Sequence, residues 1–398
     1  TFNEGVPKLD GSSISGFAEI YESDMILKPD PSTFSIIPWV TDEIKTARIL
    51  CDVYWGLGKG RLSRDPRGIA QKAEEHLRGQ GYDISYWGPE VEFFVFDNVS
   101  WDTMSPYQGQ GYRIESKEAA WNRDGSGYPI RFKEGYFPAS PQDTLMEFRS
   151  ECTKILEDNF NVICDAHHHE VATAGQCEID MRYGTLTTMA DSVMAYKYVV
   201  KNIARRKDQV ATMMPKPIFG DNASGMHVNT SIWNDGKNLF YDPNDTHAEL
   251  SQIGRYFGGG LMEHSRSLVA IAAPTTNSYR RLVPGYEAPV YVAWSRMNRS
   301  ANIRVPVYQK GEHAASQKRI EFRPPDPSSN PYLCFAAILA AGLDGIKKCI
   351  DMGEPVDENI YELSPKERRE RGINELPGSL KEASEALKSD HEYLKPIF

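Results

Sequence analysis

GPEVEFFVFD, residues 88–97, sets two glutamates, Glu90 and Glu92, among Val91, Phe93, Phe94, Val95 and Phe96. Such a run of β-branched and aromatic residues predicts a strand, and side chains two apart on a strand share a face. The segment therefore reads as a strand with both carboxylates on one side. By itself it describes no more than a strand with one wet face. Its meaning depends on which other strands carry polar groups in the same parity, and three later segments do.

In DAHHHEVATAGQCEID (165–180), Glu170 and Glu178 are eight residues apart, an even spacing that leaves them on one side if the chain stays extended, with Gly175 as the position for a bulge. His167 and His169 would share a face and His168 the opposite one. Consecutive strand residues cannot supply a three-histidine zinc site, so the run reads as packing and as hydrogen-bonding support for the adjacent carboxylate. In SGMHVNTS (224–231), His227 and Asn229 alternate after the NASG turn. In KRIEFRPPD (318–326), Arg319, Glu321 and Arg323 face one way, Ile320 and Phe322 the other. Side by side, the four segments offer five carboxylates and one imidazole flanked by guanidinium groups. So many like charges repel unless divalent cations sit among them. Oxygen donors with one imidazole favour Mg2+ or Mn2+ over zinc, and adjoining arginines suit phosphate oxygens. The class of chemistry indicated is phosphoryl transfer.

The bulk properties narrow the setting. A chain of 398 residues allows one large domain or two modest ones. The longest nearly uncharged apolar run, Leu333 to Leu343, is too short to span a bilayer, and the first residues lack a secretory signal, so a cytoplasmic location is expected. Six cysteines without a CxxC pair indicate neither a disulfide framework nor a zinc ribbon. A net charge of -10 argues against a general nucleic-acid binder.

Along the chain, the first sixty or so residues read as short strands and turns, and GLGKGRLSRDPRG (56–68) as a linker. Its GLGKG matches no phosphate-loop pattern and reads as a flexible turn. Asp65 and Pro66 resemble an N-cap and first helical residue, opening a helix that ends on glycine near residue 81. Further helices are expected near 141–160, 187–209, 247–270 and 331–350, with Gly258, Gly259 and Gly260 forming a bend or close-packed turn. The mixture is α+β.

Seven motifs then recur in a familiar order: DGSSISGF from residue 10, GPEVEFF from 88, HHHEVATAGQCEI from 167, KPIFGDNASGMHVN from 216, NSYRRLVPGYEAP from 277, NRSANIRVP from 298, and RIEFRPPDPSSNPYLCFAAILAAGLDG from 319. They cover almost the whole chain, which resembles type I glutamine synthetase. The resemblance implies a small N-terminal β-grasp domain over residues 1–60 and a catalytic domain over 61–398, an antiparallel barrel-like sheet surrounded by helices (glutamine synthetase/guanido kinase-like). It implies a homo-oligomer, a dodecamer of two stacked hexamers, with active sites between subunits. The reaction implied joins ammonium to the γ-carboxylate of L-glutamate with ATP, giving L-glutamine, ADP and phosphate.

By motif position, the resemblance assigns two or more Mg2+ or Mn2+ ions to each site. Glu92, Glu170 and Glu178 would hold one, and Glu90, His227 and Glu321 another. Asp10, contributed by a neighbouring subunit, would act as base, with Ser13, Tyr136 and Glu170 around the ammonium. Asn222, Ala223, Arg281, Glu287 and Arg323 would meet glutamate. Asp165, Tyr183, Asn229, Ser231, Arg299, Arg304 and Arg319 would meet ATP. Glu287 would lie on a closing flap and Arg299 would serve the transfer itself. Tyr361 occupies a position that some bacterial members adenylylate; the alternative is an unmodified surface tyrosine. The chain departs from the family at Ala223, usually glycine, at Asn229, often histidine, at Asp165, usually glutamate, and in a short insertion near Glu312 to Ser316. Both ends look short against the family. The competing readings are a ligase for a larger amine, a non-catalytic relative kept for assembly, and a two-metal hydrolase.

Overall fold

In the computed structural model, which describes residues 4–40, 43–56, 58–105, 107–122, 127–307 and 311–398, the four polar-faced segments lie on neighbouring strands of one sheet. The strand Ile84–Phe96 runs through its middle. Gln176–Met181 pairs with one edge of it and Met226–Asn234 with the other, followed outward by Ile320–Phe322, Ala301–Arg304 and Tyr291–Ser295. Cys164–His169 closes the other side against Gln176–Met181.

Alternation sets the two faces. Trp87, Val91, Phe93 and Val95 of the middle strand, Cys177 and Ile179 beside it, Met226 and Val228, and Ile320 and Phe322 all enter the main hydrophobic core. The residues between them, Glu90 and Glu92, Glu178, His227, Asn229 and Glu321, must then point to the opposite face. Leu186–Arg206 and the long helix Pro331–Lys348 cover the apolar face, bringing Val193, Tyr196, Phe335 and Leu339 into that core.

The eleven-stranded sheet is an open path, so the expected barrel does not close, and Tyr291–Ser295 runs parallel to Ala301–Arg304 rather than antiparallel. Elsewhere the strand pairs of this sheet are antiparallel. The helix expected from 141 starts at Met146, because Thr144 donates its N–H to Glu118 at 2.6 Å and Asp143 takes the buried Arg149 guanidinium. The span expected at 247–270 is two helices, Gln252–Glu263 and Ser265–Ala272. Its break falls at His264, whose ring is gripped by Asp344 and Asp390, each at 2.9 Å. Asp65 precedes the helix Pro66–Gly79 but makes no side-chain cap; its carboxylate takes the N–H of Val53 and the Arg61 guanidinium instead. Leu57, within the GLGKG turn, lies outside the described residues. No helix among the described residues is long and apolar enough to cross a membrane.

The three glycines 258–260 do not bend the chain. They lie inside the helix Gln252–Glu263 and let it press against Pro331–Lys348 and the segment after it. A Cβ on Gly259 would stand 1.9 Å from the Ile350 carbonyl oxygen, and one on Gly260 2.1 Å from that of Ala341. Gly345 answers from the facing helix, where a Cβ would meet the Tyr256 carbonyl oxygen at 2.3 Å. Two backbones at this distance admit no methyl group without movement.

Ahead of this body, Val6–Asp10, Asp24–Pro29 and Cys51–Trp55 form a three-stranded antiparallel sheet. Its anchor is Arg67, on the first helix and only 7% exposed, which reaches Asp30 at 2.6 Å, Asp52 at 2.8 Å and Asp191 at 2.9 Å. Asp30 and Asp52 belong to the small sheet and its turn, Asp191 to the helix Leu186–Arg206, so one guanidinium joins the two parts.

Two substitutions test this packing. Gly260→Ala should lower stability by about 1–3 kcal/mol, because the added methyl has backbone on its far side and cannot be absorbed by a rotamer change. Arg67→Met should cost about 3–5 kcal/mol by leaving carboxylates without their cation. Thermal and urea unfolding followed by circular dichroism would read both, and an unchanged midpoint for either would show that these contacts are not tight in solution.

Candidate active site

Register brings the polar face together. Glu92 lies opposite Glu178 and Glu90 opposite Asp180 on one edge of the middle strand, while on the other edge Glu90 lies opposite His227. One strand further, Glu321 pairs with Asn229 and then with Arg304. The result is a cavity of about 230 Å³ lined by acidic groups and three arginines, Arg299, Arg304 and Arg323.

Within it, ligand atoms of Glu90, His227 and Glu321 all lie within 4.8 Å of one another. His227 Nδ1 stands 3.3 Å from Glu90 and 3.9 Å from Glu321. Glu321, 1% exposed, is gripped by Arg304 at 3.0 Å and by Arg323. A second group within the same limit is His168, Glu178 and Asp180. Glu92 and Glu170 line the same cavity, although the atoms that converge with Glu178 are those of His168 and Asp180. Asp180 is the residue that sequence reasoning missed; its signal was present, because it follows Glu178 by two and so shares its face.

Burial, reinforced by neighbouring charge, raises four of the cavity carboxyls, Glu92, Glu170, Glu178 and Asp180, above the ordinary carboxylate range. Glu178 is pushed well above the ordinary carboxylate range by desolvation and by Glu90, Glu170, Glu92 and Asp180; Glu92 follows through desolvation and Glu170. Desolvation raises Glu170 and Asp180 as well. Burial, then Arg323, pushes the His227 imidazole well down, leaving it neutral with one ring nitrogen able to act as a ligand. Buried oxygens in excess over nearby cations, with one neutral imidazole, fit hard divalent ions.

Glu170 does not sit on an extended chain running to Glu178. The strands Cys164–His169 and Gln176–Met181 form a hairpin, closed by Gly175 at φ 94°, and Glu170 starts its turn. Its N–H donates to the Gln176 carbonyl at 2.9 Å, while its own carboxylate takes the Val171 N–H at 3.0 Å. The three histidines divide their work. His167 meets Arg149 and Ser150 on the covering helix Met146–Phe160. His168 points to the carboxylate face, 3.5 Å from Glu170 and 3.7 Å from Glu178, under the ring of Phe137. His169 is buried, with Nε2 3.0 Å from Glu118 and Nδ1 2.7 Å from the Glu170 carbonyl, so that it steadies the backbone of Glu170. Against the pull of burial, Glu118 raises its pKa.

A wider groove of about 620 Å³ adjoins the cavity, sharing Glu90 and Asp180 with it. Asp165, Tyr183, Asn229, Ser231 and Arg319 line it, together with Tyr86 and Trp233, two aromatics that the sequence reading did not single out. Tyr86 meets Tyr183 edge-on at 5.3 Å and Trp233 at 5.5 Å. Asn229 links groove to cavity, donating to Glu90 at 2.9 Å and accepting from Arg319 at 2.9 Å.

The remaining candidates fall into four groups. Tyr136, Asn222, Glu287 and Arg299 line the cavity, and Arg299 reaches Glu287 at 3.3 Å. Arg281 is buried behind it, donating to the carbonyls of Pro324 and Arg323, and the Ala223 carbonyl accepts from Gln176 at 3.2 Å, whose amide also holds Glu92 at 2.8 Å. Asp10 and Ser13 line neither cavity nor groove; hydrogen bonds from Ser12 and Ser13 hold the Asp10 carboxyl below its usual range. Tyr361 is half-buried and donates its hydroxyl to the Ala288 carbonyl at 2.6 Å, beside the turn that carries Glu287. That turn is held by Lys133, which donates to the Gly285 carbonyl at 3.0 Å, and Tyr286 lies against both Lys133 and Lys216.

The chain is similar to known proteins along its length. The family model for the glutamine synthetase catalytic domain matches residues 63–398, and that for the glutamine synthetase beta-Grasp domain matches residues 1–56. The chain is 61% identical to glutamine synthetase of Sulfolobus acidocaldarius over 100% of its own length and 83% of the relative's. It is 48% identical to that of Salmonella typhimurium over 99% and 82%. Plasmodium falciparum glutamine synthetase, a solved structure, superposes with a TM-score of 0.87 at 30% identity, covering 99% of this chain and 84% of that one. A polar sheet face built from these motifs, matched from end to end, makes the chain a member of the glutamine synthetase family.

Proposed function

We propose that the chain makes L-glutamine from L-glutamate, ammonium and ATP, with the reacting groups in the carboxylate cavity and the nucleotide in the groove beside it. The observation that carries this reading is their junction. A small chamber of carboxylates and arginines opens at Glu90 and Asp180 into an aromatic-lined groove of about 620 Å³, a size suited to a nucleotide.

In this reading Glu90, His227 and Glu321 hold one divalent cation and Glu92, Glu170 and Glu178 another, with Mg2+ or Mn2+ as the metal. Bound there, such ions offset phosphate charge and help align the transferred group with its acceptor. Asp165, Tyr183, Asn229, Ser231 and Arg319 receive the nucleotide. Arg299 and Arg304 face its phosphates, where guanidinium groups stabilise the charge that builds during transfer. Arg281 and Arg323, with Asn222 and Ala223, orient glutamate so that its γ-carboxylate attacks the terminal phosphorus of ATP. The bond to ADP breaks and γ-glutamyl phosphate forms. Glu287, on the turn held by Lys133, closes over that intermediate and keeps water from it.

Ammonium then loses a proton and attacks the γ-carbonyl, and phosphate departs. Asp10 accepts the proton, with Ser13, Tyr136 and Glu170 around the cation. In a single chain Asp10 and Ser13 lie outside the cavity, which supports a site completed by the N-terminal region of a neighbouring copy, that region ending near residue 60. The homo-oligomer proposed is a dodecamer of two hexamers working in the cytoplasm.

Glu321→Ala should lower ATP-dependent phosphate release roughly a hundredfold or more, because the carboxylate serves a cation and orders two arginines. Glutamine formation should depend on ammonium, with methylamine a far poorer acceptor. Unchanged phosphate release by the variant, or methylamine used as well as ammonium, would overturn the reading.

A further inference from the structure

Asp221 lines neither the carboxylate cavity nor the groove, yet three walls of the cavity hang on it. It is 0% exposed, and both of its carboxylate oxygens are engaged. Oδ1 accepts the N–H of Lys133 at 3.0 Å and of Asn222 at 2.9 Å; Oδ2 accepts the N–H of Thr173 at 2.7 Å. These donors come from separate stretches of chain. Lys133 precedes Tyr136 by three residues, Thr173 follows Glu170 by three, and Asn222 lines the cavity itself. All three donors are backbone groups, so Asp221 fixes main chain rather than side chains.

The same junction is tied from other directions. Lys216 donates its ammonium to the Asp221 carbonyl and lies 4.0 Å from the centre of the Tyr286 ring. The Thr173 hydroxyl is bonded to the carbonyls of Glu118 and Ile130, and Gly135 donates to the Val171 carbonyl at 2.9 Å. Sheet hydrogen bonds cannot hold these stretches in register, since none of residues 131–136, 170–175 and 220–225 belongs to a strand. A buried carboxylate ties all three together, and without it the Thr173 and Asn222 N–H groups would be buried unpaired.

We infer that Asp221 is a positioning residue for the reaction, joining the three loops that present Tyr136, Glu170 and Asn222 so that glutamate and ammonium meet one preformed wall. This rests on the assignment of that wall to glutamate and ammonium. The nucleotide groove is built from other elements: Tyr86 and Ser231 stand on strands of the main sheet, and Tyr183 and Arg319 each immediately precede one. Loss of Asp221 should therefore be selective among substrates.

Asp221→Asn keeps the shape but turns one acceptor oxygen into an N–H donor facing other donors. The Michaelis constants for glutamate and ammonium should rise roughly tenfold or more, since small misplacements of positioning groups are costly, while that for ATP stays within about twofold. Asp221→Ala should exaggerate the same pattern. Circular dichroism and size-exclusion chromatography of each variant would check that it is folded. Should Asp221→Asn fail to fold, Asp221→Ser, which keeps one acceptor and leaves room for a water, is read in the same way. Equal changes for all three substrates, or none for glutamate and ammonium, would overturn the inference. Absence of glutamine formation by the unmodified chain would instead overturn the underlying functional reading.

Discussion

The structure turns on electrostatic crowding across one edge of a strand. Glu90 and Glu92 are set by alternation on the polar face of the middle strand, and register brings Glu178 and Asp180 against them. Water cannot relieve this repulsion, because the apolar partners of these residues fill the core beneath and Glu92, Glu178 and Glu321 are themselves buried. The arginines compensate unevenly. Arg304 and Arg323 serve Glu321, whereas Glu178 faces His168 at 3.7 Å and other carboxyls around it. A face arranged in this way demands positive charge from outside the chain.

Everything around that face serves to keep it in register. The apolar sides of the same strands bind the sheet to its covering helices, and the close approach at Gly260 and Gly345 lets two of those helices pack without a gap. His169 and Gln176 attach to the carboxylates or their backbone from behind, which fixes where those carboxylates stand. Arg67 holds the N-terminal sheet to the same body through three carboxylates.

Much of this was legible in the sequence, for a physical reason. Side-chain alternation is a local property of a strand, so the pairing of polar faces in EVE, HVN and RIEFR could be read without knowing which strands were neighbours. The helix Pro66–Gly79 was legible from a local signal too, Asp65 and Pro66 at its start. What escaped was decided by contacts distant in sequence. The hairpin at Gly175 reverses a chain whose even spacing allowed it to run straight. His264 breaks a helix because Asp390 lies beside it in space, 126 residues away in the chain. The glycines at 258–260 read as a bend, since nothing local shows that a second helix passes within touching distance. Asp180 was open to the alternation argument that found Glu178 and was simply not used.

The account stands or falls on whether this face requires a divalent cation, which calorimetric unfolding in chelator and in excess Mg2+ tests directly. Without the ion, Glu92 and Glu178 have folded pKa values above their unfolded ones, so their protonated forms favour the native state at low pH and that contribution is lost as pH rises. An ion bound to the deprotonated face would add about 2.7 kcal/mol at a hundred times its dissociation constant. The predicted result is a higher unfolding temperature with Mg2+, by a margin that widens from weakly acidic to weakly alkaline pH. An unfolding temperature that ignores Mg2+, or a margin that narrows as pH rises, would contradict the account.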